Sequence, residues 1–249
     1  LHAPMAGNVG HSAAELGLQC MDPAQAQPDW IVMEMSSYQI ESAIEVRPTI
    51  GIWTTLTPDH LERHGSMDAY RDIKQGLLQR SENAVLNADD SDLQTRHADW
   101  PDAQWVSAKQ TKDEPSNLEL WINPEGLVCS KQGALFPANA LAMPGEHNRQ
   151  NMLLVTAAAL QAGLGPQSIE RGLRSFPGVP HRLENLGSLH GMQVFNDSKA
   201  TNYDAAAVAL QAVPGPIALL AGGLSKQGDA SGWLQLLHDR VCSIALFGS

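Results

Sequence analysis

The chain has 249 residues, 43% of them hydrophobic and 17% charged, with a net charge of −11. That balance belongs to a soluble globular protein of one large or two ordinary domains, not to a disordered chain. The acidity speaks against nucleic acid as main partner, because such binding needs Lys and Arg to neutralise phosphates. No apolar run approaches the ~20 residues of a membrane span.

No basic-then-apolar leader is visible, although the chain starts at Leu1 rather than Met. Three scattered cysteines, Cys20, Cys129 and Cys242, form no CxxC pair. They read as reduced, buried thiols of a cytoplasmic protein.

In chain order, Trp30–Met33, Ile50–Trp53 and Ala84–Asn87 read as buried strands. Ser66 is placed to cap a helix running to about Arg80, with Asp68 in its first turn. Strand, helix, strand in that order predicts a mostly parallel α/β sheet with right-handed crossovers. From Gln104 to Pro137, four short strands separated by Pro, Gly and Asn turns predict a small antiparallel appendage. Asn148 is expected to cap a helix, Met152 to Ala162, that Gly163 stops, and a second helix covers about Gln167 to Ser175.

Phe176–Pro–Gly–Val–Pro180 is the expected domain boundary, dividing residues 1–179 from 180–249. Beyond it Met192–Phe195, Ile217–Leu220 and Ser243–Phe247 read as strands, alternating with helices over Asn202–Gln211 and Ser231–His238. This predicts the opening of a second, truncated Rossmann-like domain.

Polar clusters follow several of these strands, where open α/β sheets place ligands. In Met33–Glu–Met–Ser–Ser–Tyr–Gln–Ile–Glu41, Glu34 is a candidate to hold Mg²⁺ or polarise a substrate; alternatively the segment is a turn with Ser36 or Ser37 as helix cap. In Thr54–Thr–Leu–Thr–Pro–Asp–His–Leu–Glu–Arg–His64, His60 is either a metal ligand beside Asp59 or merely exposed, and His64 is expected on the surface. Lys74 borders an apolar stripe of Tyr70, Ile73, Leu77 and Leu78. It either snorkels to water or serves a site as a cation or a covalently modified amine.

Asn196–Asp–Ser–Lys–Ala–Thr–Asn202 joins a strand to a helix, whose N-terminus favours anions. Lys199 and Thr201 add donors there, and Asp197 is a candidate acceptor for ribose hydroxyls. Ala221–Gly–Gly–Leu–Ser–Lys226 follows the next strand and adds a cation.

Taken with Gly7–Asn–Val–Gly10, Tyr70–Arg–Asp–Ile–Lys74, Asn87–Ala–Asp–Asp90, His147–Asn148 with Asn151, and His181–Arg–Leu–Glu184, these runs resemble the Mur ligases in order and over nearly the whole chain. The run from Asn196 to Asn202 resembles the members that add D-glutamate to UDP-N-acetylmuramoyl-L-alanine. The resemblance implies an α/β central domain of Mur-ligase type followed by the start of a carboxyl-terminal domain. It implies an ATP-dependent amide synthesis through an acyl phosphate, by a monomer, with ATP and Mg²⁺ as cofactors. Glu34 would bind one Mg²⁺, and His60 and Lys74 a second, with Lys74 carbamylated. Asn8 and His60 would face the UDP-sugar substrate, and Ser36 is a further substrate-binding candidate. Asn151, Arg182 and Asp197 would hold adenine, phosphate and ribose, while Lys199, Thr201 and Lys226 would serve D-glutamate and phosphate.

The family's Gly-rich phosphate loop would lie ahead of Leu1, so the chain is expected to be an internal piece, inactive by itself. Three other readings stay open on the residues: a sister ligase for another amino acid or a folate, a metal-dependent hydrolase built on Glu34, Asp59 and His60, and a non-catalytic nucleotide-binding module.

Overall fold

The computed structural model describes residues 1–110, 117–223 and 230–248, with the side chain of Gln110 left aside. Its contacts divide the chain into two compact units, residues 1–84 and 85–249. The Pro/Gly stretch at 176–180 lies inside the second.

In the first unit β1 (Met5–Gly7) and β2 (Val32–Glu34) pair in parallel, with α1 (Ala13–Met21) between them in sequence. At three residues, β1 is too short for periodicity to announce. Gly7 sits opposite Glu34 at φ +107, and a Cβ there would run into the Glu34 carbonyl, so only glycine fits. The expected burial around β2 is not found: Ile31, Val32 and Met33 are all exposed. Among the described residues β2 pairs only with β1.

Next come α2 (Ser37–Ser42), β3 (Ile50–Trp53), α3 (Leu61–His64) and α4 (Met67–Gln79). The start of α4 is written locally: the Ser66 hydroxyl accepts from the Ala69 N–H, as its position predicts. Tyr70 and Leu78 form the buried stripe of α4, which packs against α2, α3 and β3.

The second unit opens with the last residues of β4 (Asn83–Asn87). After α5 (Ser91–Thr95) come β5 (Gln104–Gln110), β6 (Leu120–Ile122), β7 (Leu127–Ser130) and β8 (Gly133–Pro137), adjacent in that order. The expected four-stranded antiparallel appendage is corrected. β5 and β6 continue the parallel sheet from β4, and among these strands the antiparallel pairings are only those of β7 with β6 and of β8 with β7. Hairpin turns join β6 to β7 and β7 to β8, as antiparallel neighbours allow.

Two helices follow, α6 (Glu146–Gln161) and α7 (Pro166–Ser175). Met152, Leu153 and Leu154 of α6 join Leu86, Val106, Leu120 and Ile122 in the core, and α6 packs on β5. Each such side chain contributes about 1.5–3 kcal/mol on leaving water. The cap of α6 is Gly145, at φ +100, rather than Asn148, whose amide instead donates to the Pro144 carbonyl at 2.6 Å. A Cβ on Gly145 would press on the His147 ring and on Ala212, which accounts for the glycine.

Beyond 180 lie β9 (Glu184–Leu189), β10 (Met192–Asn196), α8 (Tyr203–Ala212), β11 (Ile217–Gly223), α9 (Ser231–Arg240) and β12 (Val241–Gly248). The sequence pattern misses β9. It forms a hairpin with β10 through His190 and Gly191, both at positive φ. Among the described residues β10 pairs with β9 only, so the expected alternation is carried by β11, α9 and β12, a parallel crossover unit. Cys129 is buried as expected, but Cys20 is half-buried and Cys242, on the thinly covered β12, is exposed.

Candidate active site

In the first unit Glu34 stands at the carboxyl end of β2, exposed, with its carbonyl accepting from the Asn8 N–H at 2.9 Å. The structure thereby joins Asn8 to Glu34. Ser36 is the cap of α2: its hydroxyl accepts from the Gln39 N–H, and Gln39 Oε1 accepts from the Ser36 N–H at 3.0 Å. The capping alternative is therefore what the Ser36 hydroxyl does here.

His60 precedes α3 in the left-handed region, at φ +53. Its N–H donates to Asp59 Oδ1 at 2.9 Å, and its ring lies 3.5 Å from Asp59 Oδ2 and 3.8 Å from Glu62 Oε1. The Tyr38 ring meets it edge-on at 5.3 Å. Lys74 is half-buried, with Nζ 5.0 Å from the centre of the Tyr70 ring. Burial lowers its proton affinity below the ordinary lysine value, while Glu34 and then Asp59 pull it back up. Tyr70 is itself pushed above the usual phenol value, by burial first and then by Asp59. The lysine therefore lies within electrostatic reach of two carboxylates, Glu34 at the end of β2 and Asp59 ahead of α3.

His64 departs from expectation. It is partly buried between Tyr38 and Tyr70, with its Nε2 2.9 Å from the buried Ser37 hydroxyl. Among the described residues no group of three or more His, Cys, Asp and Glu side chains gathers as a ready-made metal site.

In the second unit Asp197 Oδ1 accepts from the Leu183 N–H at 2.9 Å, and the Lys199 N–H donates to the His181 carbonyl at 3.0 Å. Asn196 bonds the His181 ring at 2.8 Å, and the His181 N–H reaches Glu184 Oε2 at 2.8 Å. The segments 181–184 and 196–200 are thus stitched together. The N-terminus of α8 is less open than expected, because Asn202 caps it by accepting from the Ala205 N–H. Lys199 and Thr201 are exposed in the preceding loop, and Asn151 is exposed on α6. Lys226 lies outside the described residues.

His147, in the first turn of α6, sits within electrostatic reach of both Asp197 and Arg182. Asn151 follows it by four residues, hence on the same helix face. Sequence reasoning quoted His147 in a motif without giving it a role; its solvent exclusion and its charged neighbours come from distant segments. Burial lowers its proton affinity below the ordinary histidine value of 6.5; Asp197 raises it again and Arg182 lowers it.

His147 stays neutral in the fold while the unfolded chain takes up a proton first. Its contribution to stability is full above the ordinary value and is lost as pH falls through it toward the depressed folded value. Between about pH 7.5 and 5.5, the urea midpoint of His147→Gln is expected to fall less than that of the unsubstituted protein. Parallel decline of the two midpoints would refute this.

The model of the Mur ligase middle domain matches residues 8–159. The chain belongs to the Mur ligase family. It is 61% identical, over its whole length and 54% of the other's, to the UDP-N-acetylmuramoylalanine--D-glutamate ligase of Parasynechococcus marenigrum (strain WH8102). The ligase of the same name from Prochlorococcus marinus (strain MIT 9313) is 60% identical over the same shares. The chain thus spans about half the length of the curated relatives it matches.

Among solved Mur ligases, MurF of Thermotoga maritima in complex with ADP superposes with a TM-score of 0.66 at 18% identity, covering 98% of this chain and 60% of that one. MurC of the same organism gives 0.64 at 17% identity, over 98% and 60%. At such identities the likeness is one of fold. No helix among the described residues is long and apolar enough to cross a membrane.

Proposed function

We propose that this chain is part of an ATP- and Mg²⁺-dependent ligase that joins D-glutamate to UDP-N-acetylmuramoyl-L-alanine in cytoplasmic peptidoglycan synthesis. The observation that carries the reading is about 60% identity along the entire chain to ligases of that name. The matched family segment, 8–159, supports a central domain over 1–179 and the start of a carboxyl-terminal domain over 180–249.

In this reaction the γ-phosphoryl of ATP passes to the muramoyl-alanine carboxylate. The D-glutamate amine then attacks the acyl carbon, an amide bond forms, and phosphate leaves. Charge builds on phosphoryl and acyl oxygens, so the protein must supply fixed positive charge and a water-poor setting. Glu34 is an oxygen donor of the kind Mg²⁺ prefers and would hold one ion, while His60 and a carbamylated Lys74 would hold a second; bound there, the ions would neutralise charge on the phosphoryl oxygens. Lys74 fits carbamate chemistry, because the neutral amine is what adds CO₂, with a proton released as the N–C bond forms. Its burial over Tyr70 favours that neutral form.

For the nucleotide, Asn151, Arg182 and Asp197 offer an amide, a cation and an acceptor for adenine, phosphate and ribose. Asn8 and His60 face the UDP-sugar side. Lys199, Thr201 and Lys226 serve D-glutamate and the leaving phosphate.

The test is phosphate release from ATP by the full-length protein, with UDP-N-acetylmuramoyl-L-alanine and a panel of amino acids. Turnover with D-glutamate well above all others is the expected result. Preference for another amino acid, or hydrolysis without ATP, overturns the reading.

A further inference from the structure

The His64 ring is the feature of the first unit that no role yet absorbs. Three side chains from two elements, α2 and α4, converge on it. From α2, the Ser37 hydroxyl, 3% exposed, lies 2.9 Å from Nε2. The Tyr38 ring packs at 5.5 Å on one side. From α4, the Tyr70 ring stacks at 5.4 Å and 27°. The same Tyr70 ring also carries the Lys74 ammonium, 5.0 Å from its centre.

Stability alone is a poor reason for this arrangement. The His64 Nδ1 is buried and has no hydrogen-bond partner among the described residues, and such a group costs about 1–3 kcal/mol. A Leu or Phe would fill the space without that cost. What the imidazole supplies, and an aliphatic group would not, is a flat ring fixed in rotation by a buried hydroxyl.

We propose that His64 is a positioning residue for Lys74: clamped by Ser37 and stacked on Tyr70, it holds the Tyr70 ring as the platform on which the lysine amine rests. Because α3 contributes His64, the loop carrying Asp59 and His60, which leads into α3, is tied to the same platform. The lysine and the carboxylates it faces are thereby kept in one register. Without the stack, Tyr70 gains rotational freedom and the amine above it loses its fixed position and its cover.

The proposal rests on the ligase reading only for its kinetic consequence, so the test has two arms in the full-length protein. The first is competitive acetylation by limiting acetic anhydride in CO₂-depleted buffer, read at Lys74 by peptide mass spectrometry against the other lysines. His64→Gln keeps a hydrogen-bond acceptor and loses the stack; His64→Phe keeps the stack and loses the acceptor. Lys74 in His64→Gln is expected to acetylate several-fold faster than in the unsubstituted protein, and in His64→Phe within about twofold of it. The second arm is ligase kinetics, where His64→Gln is expected to lower kcat about tenfold or more with KM values within about threefold.

A merely structural histidine would lower the melting temperature of both variants and leave the relative Lys74 rate unchanged, and that outcome overturns the proposal. Acetylation that rises as predicted in a protein with no D-glutamate ligase activity would uphold the clamp and reject the functional reading instead.

Discussion

Replacing Lys74 by alanine in the full-length protein is expected to lower kcat about a thousandfold, roughly 4 kcal/mol of transition-state stabilisation. The figure is that of losing one fixed electrostatic partner of the reacting phosphoryl and acyl oxygens. The fold should survive, because the side chain is a half-buried lysine whose charged form burial already disfavours. What the fold gives up is a cation over the Tyr70 ring, a contribution of about 0.5–2 kcal/mol. The assay is steady-state turnover with circular dichroism as control for folding.

The chemistry of the residue can be separated from its mere presence. If Lys74 acts as its CO₂ adduct, the alanine variant leaves a gap beside Glu34 and Asp59 that a small carboxylate can enter. Acetate or bicarbonate at high concentration is then expected to restore part of the lost rate, whereas methylammonium, which replaces only the cation, is not. Rescue by the amine and not by carboxylates would make Lys74 an ordinary cationic donor. A metal-dependent hydrolase built on Glu34, Asp59 and His60 predicts something else again: hydrolysis without ATP, unaffected by loss of Lys74.

How much of this was written in the sequence varies with how local each feature is. Helix α4 was legible to its ends, because its cap, first-turn acid and apolar stripe all lie within one segment, Ser66 to Arg80. Strand β3 was legible because four consecutive residues carry it. The orientation of β5 and β6 was not, since short apolar runs look alike whichever way their neighbour runs. His64 reads as a surface residue in a polar loop, and only the convergence of α2, α3 and α4 encloses it. His147 is similar: nothing near it in sequence announces that Asp197 and Arg182 will face it. The sequence motifs named the chemical groups, and the packing decided which of them meet.

Asp197 illustrates the difference most sharply, and its substitution should have the second-largest effect. As a sequence feature it is an acceptor for ribose. In the fold its Oδ1 already accepts the N–H of Leu183, a residue only 8% exposed and held in the left-handed region at φ +43. His181, two residues earlier, is left-handed as well, at φ +65. Non-glycine residues in that conformation cost about 1–2 kcal/mol each and persist only where neighbours impose it. Asp197 is one such neighbour, and Arg182 sits between the two strained residues.

Asp197→Ala therefore strips the Leu183 N–H of its acceptor, frees the 181–183 backbone to relax, and displaces the Arg182 guanidinium expected to hold phosphate. An expected loss of about a hundredfold in kcat/KM for ATP corresponds to some 3 kcal/mol, the range of one charged hydrogen bond plus one orphaned buried donor. Asp197→Asn keeps an oxygen for Leu183 and should lose only about tenfold. The gap between the two variants, together with faster hydrogen exchange at the Leu183 amide in Asp197→Ala alone, measures the share that belongs to holding the loop. Equal losses in both variants, with exchange unchanged, would assign the whole effect to the charge itself.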